Sequence, residues 1–391
     1  QQIANLPQII RNKNIKDLTT VFSGKKCIII SPGPSLKKNI KLLKDNESEH
    51  IVIAVAQACP ALLKHNIHPD FVMVIDPRDY SHVLDGTDCS KIPGLIIGDV
   101  CHPAFYKKPF QNIFTFFALS PALNSADIVK AEPMPLFGGS VSIAAVDLAM
   151  KLGAKEISLI GSDLSFADEI YYGYEPSTEG VATKASELTF PTFIIPGYFG
   201  DEVITNPVYL TFLKEFEELA ATTGDDQTLN NCTEGGAYIE GFNHIPLAEV
   251  LAKEPRKKNL RQFPNNTPRE ISDNLKSLLK SLSEERNKLN KAKILTKECL
   301  QLAEKLRSPD DKKLATLNKK EKQLVLLTNS TESLDLFCNT EIEAVQRQIG
   351  RINSFEGNIK LSKNMYQMIF NAIEVLRVAL SEQITVMKDL R

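Results

Sequence analysis

The sequence predicts an α/β domain with a doubly wound parallel sheet, continued by an all-α helical bundle. From about residue 25 to residue 251, short apolar runs alternate with helical patterns, as they do in a parallel sheet with crossover helices. From residue 268 onward the composition shifts to Lys, Glu, Leu and Asn, with apolar residues at helical spacing. Between the two lies a polar stretch, Glu254-Pro-Arg-Lys-Lys-Asn followed by Phe263-Pro-Asn-Asn-Thr-Pro268, whose prolines and turn-forming side chains argue against a helix. The expected division is a lead-in segment at 1–24, an α/β catalytic domain at 25–253, a linker at 254–267 and a helical domain at 268–391.

Strands are expected at 27–31, 51–56, 71–75, 95–98, 113–117 and 157–161. The first of these is typical, because Cys27-Ile-Ile-Ile30 is a continuous apolar run and therefore suits a strand buried on both faces. Helices are expected at 36–45, 57–65, 140–152 and 207–222. In the C-terminal part, Leu275, Leu278, Leu279 and Leu282 make one apolar stripe. Three or four long helices are expected there, broken near Ser308-Pro309 and near 329–333. Their charges are mixed in sign, which suits the solvated outer faces of a bundle.

Composition narrows the function. The 391 residues suffice for two or three domains with sizeable cores. Charged residues make up 24% and the formal net charge is −2, so no bulk attraction to nucleic acid or anionic lipid is expected. The seven cysteines are odd in number and show no C-x-x-C spacing, as expected of reduced thiols in a cytoplasm. No apolar run approaches the roughly 20 residues of a membrane span, and no signal peptide is seen. The six histidines form no i, i+4 pair, and no metal site is expected.

Four segments carry candidate chemistry. In Cys27-Ile-Ile-Ile-Ser-Pro-Gly-Pro-Ser-Leu36 a strand runs into a tight turn that opens a helix. Gly33 permits close backbone approach to a ligand, and Ser35 suits a helix cap that leaves amides aimed at an anion. In Pro69-Asp-Phe-Val-Met-Val-Ile-Asp-Pro-Arg78, Asp76 ends a strand where ligands bind in open α/β sheets. The same residues also fit a plain turn, with Asp76 before Pro77 and Arg78 paired with a surface acid. In Phe137-Gly-Gly-Ser140, Gly138 and Gly139 clear space before a helix capped by Ser140, a second place for an anion or a base edge. Finally, Ile157-Ser-Leu-Ile-Gly-Ser-Asp-Leu164 puts Asp163 after another strand, followed by Tyr171 and Tyr172. Those hydroxyls fit either phosphate donation or loop packing.

Together with Asn231-Cys-Thr-Glu-Gly-Gly-Ala-Tyr-Ile-Glu-Gly241, these motifs resemble the motility-associated-factor (Maf) glycosyltransferases over about residues 25–251. The resemblance implies a Rossmann-like catalytic domain similar to that of bacterial sialyltransferases. Those enzymes carry a Gly-x-Gly-Pro-Ser-Leu turn, and here Ser31 replaces its first glycine. The implied activity is transfer of a nonulosonic acid (pseudaminic, legionaminic or a related sialic acid-like sugar) from a CMP-sugar to Ser or Thr hydroxyls of flagellin in the cytoplasm. Neither metal nor other cofactor is implied, since a departing nucleoside monophosphate is within reach of hydroxyls and amides. Carried over by position, Gly33, Pro34 and Ser35 line the nucleotide phosphate or ribose, and Asp76 lies at the sugar side. Gly139 and Ser140 hold the cytosine edge, Gly138 and Thr233 lie on the donor side, Asp163 lies beside the donor as a candidate catalytic residue, and Tyr172, with Tyr171, steadies the phosphate. Glu234 and His244 are the candidate bases for the acceptor hydroxyl, though Glu234 equally suits a turn. Two other classes stay open: a pyrophosphokinase related to the 6-hydroxymethyl-pterin enzymes and using ATP, and a non-catalytic protein that grips flagellin.

Overall fold

The structure is a computed structural model that describes residues 2–44, 50–117, 134, 136, 138–166, 191–224, 226–252, 271–309, 312–349, 351–352 and 354–388. Contacts divide the chain into two compact units. One takes in Asn12–Leu119 and Pro133–Thr267, the other Gln2–Arg11, Ser120–Glu132 and Pro268–Arg391.

Nine strands form the sheet of the first unit among the described residues. In chain order they are β1 (Lys13–Asn14), β2 (Lys26–Ile30), β3 (Ile51–Val55), β4 (Phe71–Val74), β5 (Gly94–Gly98), β6 (Asn112–Phe116), β7 (Glu156–Ile160), β10 (Thr228–Asn231) and β11 (Asn243–His244). β8 (Phe193–Pro196) and β9 (Glu202–Thr205) make a separate antiparallel pair. The order across the large sheet is β1-β6-β5-β4-β3-β2-β7-β10-β11, and every pairing is parallel. The six predicted strands are all present, within a residue at each end. Strand β2 shows why the apolar run was needed. Its Cys27 and Ile29 pack into the core on one face, and Ile28 and Ile30 into the core on the other. β1, β10 and β11 escaped the sequence reading because they are short or polar, Thr228-Leu-Asn-Asn231 being an example.

From β2 the chain steps outward through β3 to β6, then returns to place β7 on the other side of β2. This reversal of strand order makes the carboxyl ends of β2 and β7 a topological switch point, where open α/β sheets bind ligands.

Numbering the helices from α1 (Gln2–Arg11), those of the first unit are α2 (Thr19–Phe22), α3 (Leu36–Lys44), α4 (Cys59–Lys64), α5 (Val141–Lys151), α6 (Pro207–Ala221) and α7 (Leu247–Ala252). α5 starts at Ser140, whose Oγ accepts from the Ser142 amide at 3.3 Å. Its residues Ile143 to Ala149 are all buried. α6 follows the cap Asn206, whose Oδ1 accepts from the Tyr209 amide at 2.7 Å, with Pro207 in the first helical position.

The second unit is helical, as the composition predicts. It holds α8 (Ile271–Lys305), α9 (Lys312–Asn329), α10 (Glu332–Gln348) and α11 (Phe355–Lys388), with α1 packed against α11. The stripe Leu275, Leu278, Leu279 and Leu282 is buried. Breaks fall at the two expected places, and a further one separates α10 from α11. Buried Glu285 caps the start of α10, accepting from the Ser333 amide at 2.8 Å and its hydroxyl at 2.7 Å. No helix among the described residues is long and apolar enough to cross a membrane.

Candidate functional site

A cavity of about 830 Å3 opens at the switch point of the sheet. Ser31, Pro32, Gly33 and Pro34 line it from the end of β2, and Gly161 to Ser165 from the end of β7. Gly139 to Ser142 contribute the start of α5. Opposite them, Val208, Tyr209, Phe212 and Phe216 present one face of α6. Gln57, Arg78 and His82 add polar groups from the loops after β3 and β4. The glycine turn, the second helix opening and Asp163, which lie far apart in the sequence, therefore meet at one cavity.

Its floor is a chain of hydroxyls. Ser162 Oγ donates to Ser31 Oγ at 2.9 Å, and Ser31 Oγ lies 2.6 Å from Ser142 Oγ. The Ser31 that replaces the first glycine of the turn thus ties β2, β7 and α5 together.

The first turn corrects two expectations. Gly33 is needed for close approach, but its neighbour is the chain itself. A Cβ there would sit 2.0 Å from Asp163 Oδ2 and 2.4 Å from the Gly161 carbonyl. Ser35, in turn, leaves no amides open to an outside anion. Its hydroxyl donates to Asp163 Oδ2 at 2.8 Å and its amide to Asp163 Oδ1 at 3.2 Å. The next three amides, of Leu36, Lys37 and Lys38, donate to the carbonyls of Gly33, Pro34 and Ser35. The anion at the start of α3 is the chain's own Asp163.

Asp163 is almost wholly buried. Burial pushes its carboxyl up to about 6, against the pull of the Ser35 hydrogen bonds. The segment from Thr233 to Ala237 wraps its other side. The Ala237 amide donates to the Asp163 carbonyl at 2.8 Å. Gly236 sits at φ 73°, with its Cα facing that carbonyl so closely that a Cβ would fall 2.2 Å from it. Thr233 is fully buried, and its Oγ1 accepts from the Ser162 amide at 3.4 Å.

The two candidate bases have other employment. Glu234 Oε1 accepts from Asn39 Nδ2 at 2.8 Å and from the Leu247 amide at 3.1 Å, capping α7. His244 Nε2 accepts from the Ile239 amide at 3.1 Å, so the lone pair that a base would use is engaged. The ring stacks on Tyr238 at 4.1 Å and meets Tyr198 edge-on, and burial lowers its pKa. Neither residue lines the cavity.

Asp76 is held by Arg78. The guanidinium Nη2 donates to Asp76 Oδ2 at 2.6 Å and the Arg78 amide to Oδ1 at 2.8 Å, holding the carboxyl below its usual range. Arg78 lines the cavity while Asp76 stands behind it. The acid that Arg78 meets is thus two residues away in the same turn.

The second helix opening is engaged by the chain only in part. Gly138 precedes it at φ 87°. The Gly139 amide donates to Glu215 Oε2 at 2.9 Å, while Val141 lines the cavity as the first helical residue, with no acceptor for its amide within the helix. Tyr171 and Tyr172 lie outside the described residues. Among the described residues no group of three or more His, Cys, Asp or Glu side chains is placed to hold a metal.

The sequence reading missed the hydroxyl chain and the aromatic wall of α6. Tyr209, Phe212 and Phe216 are spaced three and four apart on a predicted helix, a signal that could have been read as one face.

The comparisons with known proteins bear on the fold. The sequence family described as "MptE-like: 6-hydroxymethylpterin diphosphokinase MptE-like" matches residues 1–169. No curated protein matches the sequence. Among solved structures, a Maf glycosyltransferase from Magnetospirillum magneticum AMB-1 aligns with 98% of the chain at a TM-score of 0.54 and 16% identity. The chain has the Maf glycosyltransferase fold. That accords with the Maf resemblance of its motifs, of which the Gly33 turn, the start of α5 and Asp163 meet at the switch-point cavity. The chain spans 61% of the Magnetospirillum Maf protein.

Proposed function

We propose that the chain is a glycosyltransferase that moves a nonulosonic acid from a CMP-sugar to Ser or Thr hydroxyls of flagellin, without a metal ion. The observation that carries this reading is the single cavity on which Ser31–Pro34, the start of α5 and Asp163 converge. The aromatic face of Tyr209, Phe212 and Phe216 suits the flat cytosine ring. The open start of α5, with the Val141 amide and the Ser142 hydroxyl, suits the phosphate. Assigning the phosphate there moves it away from Ser35, whose donors Asp163 already uses. Asp163 is then a positioning residue, holding the turn after β2 against the donor.

As the bond from the anomeric carbon to the phosphate breaks, negative charge builds on the leaving CMP. Fixed amide and hydroxyl donors stabilise that charge without reorganising. The sugar becomes oxocarbenium-like, the acceptor oxygen bonds to the anomeric carbon as the phosphate leaves, and the hydroxyl proton passes to water or to the departing phosphate.

The match of residues 1–169 keeps one alternative in play, a pterin pyrophosphokinase-like enzyme using ATP. Thermal-shift titration separates the two: CMP stabilising the protein more than ATP supports the transferase. The direct test is mass spectrometry of flagellin co-expressed with the chain and a nonulosonate pathway. A mass increase that is reduced by Gly139→Ala supports transfer. Unmodified flagellin that still binds the chain supports the non-catalytic reading.

A further inference from the structure

The cavity holds one buried donor that nothing in the protein uses. Ser165 lines the cavity beyond Asp163 and is only 2% exposed. Its Oγ has no hydrogen-bond partner. A buried hydroxyl without a partner costs stability, so one on a residue that lines a cavity invites a ligand as its explanation.

The backbone fixes where that hydroxyl sits. On one side of Ser165, the Leu164 carbonyl accepts from Thr205 Oγ1 at 2.7 Å. On the other, the Phe166 amide donates to the Ile204 carbonyl at 2.8 Å, and the Phe166 ring lies 5.9 Å from that of Tyr209. Ser165 is thereby held where β9 gives way to α6. The helix start there has a second unused donor, since Asn206 Nδ2 is also buried without a partner. Val208 lines the cavity as the second residue of α6, and its amide has no acceptor within the helix. α6 runs for 15 residues, so its positive end is fully developed.

We propose that Ser165 and the start of α6 form a second oxyanion subsite, distinct from the start of α5, which takes the carboxylate of the donor sugar. This rests on the transferase reading above. A nonulosonic acid carries a carboxylate on its anomeric carbon, next to the phosphate, so its donor presents two anions. The cavity presents two helix starts, one on α5 and one on α6. A donor sugar lacking the carboxylate would leave the Ser165 hydroxyl and the α6 amide unpaired, which selects against ordinary hexose nucleotides.

The test is isothermal titration of the whole chain with CMP and with CMP-N-acetylneuraminic acid, comparing wild type with Ser165→Ala and Ser165→Thr. Ser165→Ala is expected to bind CMP as wild type does and CMP-N-acetylneuraminic acid about tenfold more weakly. Ser165→Thr, which keeps the hydroxyl, restores the sugar nucleotide. Because the hydroxyl is unpaired without ligand, Ser165→Ala should melt no lower than wild type. Equal losses for both nucleotides would assign Ser165 to the phosphate and overturn the carboxylate subsite. No loss for either, or a lowered melting temperature without ligand, would also overturn it. A wild-type protein that binds neither nucleotide would sink the transferase reading, and the subsite with it.

Discussion

Two helices in the α/β unit start just after glycine, and only the second keeps first-turn residues on a cavity wall. At Gly33 the turn closes on itself: Asp163 takes the Ser35 donors, and the first-turn amides of α3 bond back to the turn. At Gly138-Gly139 the helix start faces a cavity, with Val141 and Ser142 on its wall. The two turns look alike in sequence. Both turns meet a carboxylate from elsewhere in the chain: Asp163, 128 residues on, takes the amide and hydroxyl of Ser35 inside the first, while Glu215, 76 residues on, takes only the Gly139 amide ahead of the second and leaves Val141 and Ser142 on the cavity wall. A glycine before a helix therefore marks tight packing or a binding site, and the neighbouring charges decide which.

Substitutions separate the two turns, and the largest effect belongs to the first. Gly33→Ala puts a methyl against Asp163 Oδ2 and the Gly161 carbonyl; a loss of about 3 kcal/mol or outright failure to fold is expected, readable by urea denaturation. A mild loss would mean that the turn and Asp163 separate easily.

Next comes Asp163 itself. Its folded pKa of about 6 lies above the ordinary 3.8, a difference worth roughly 3 kcal/mol. The sign follows from proton binding. Between these values the folded state holds the proton and the unfolded state does not, so this contribution is complete below about pH 4 and lost as pH rises through 6. Unfolding free energies measured at about pH 4 and pH 7 should show that slope in wild type and not in Asp163→Asn. Parallel curves would contradict it.

Glu234→Ala removes the cap of α7 and strands Asn39 Nδ2, for an expected loss of about 2 kcal/mol. If Glu234 were the base, transferase activity would collapse even where the protein stays folded. With a purely structural role, activity per folded molecule stays near wild type. Gly139→Ala is the smallest in stability, since its Cβ would meet Phe212 at an ordinary 3.5 Å, and a change within about 0.5 kcal/mol is expected. Because that methyl narrows the mouth of α5, nucleotide affinity should still fall several-fold, as titration with CMP would show.

Much of this fold could be read from the sequence, because a strand covered on both faces must be apolar throughout, as Cys27 to Ile30 and Phe71 to Val74 are. The polar strand Thr228–Asn231 could not. Its Asn230 is satisfied by Ser158 and Glu156 from β7, and nothing local announces that pairing. The same holds at the site. The helix start at Ser140 was legible from Gly-Gly-Ser. The engagement of Ser35 by Asp163, the capping role of Glu234 and the unpaired hydroxyl of Ser165 depend on segments that only the fold brings together.

The most direct measurement is a crystal structure of the protein with CMP. Phosphate density within hydrogen-bonding reach of the Val141 amide and the Ser142 hydroxyl, with the Ser35–Asp163 pair intact, is the expected result. Phosphate seated on Ser35 in place of the Asp163 carboxylate, or CMP bound anywhere outside the switch-point cavity, would contradict it.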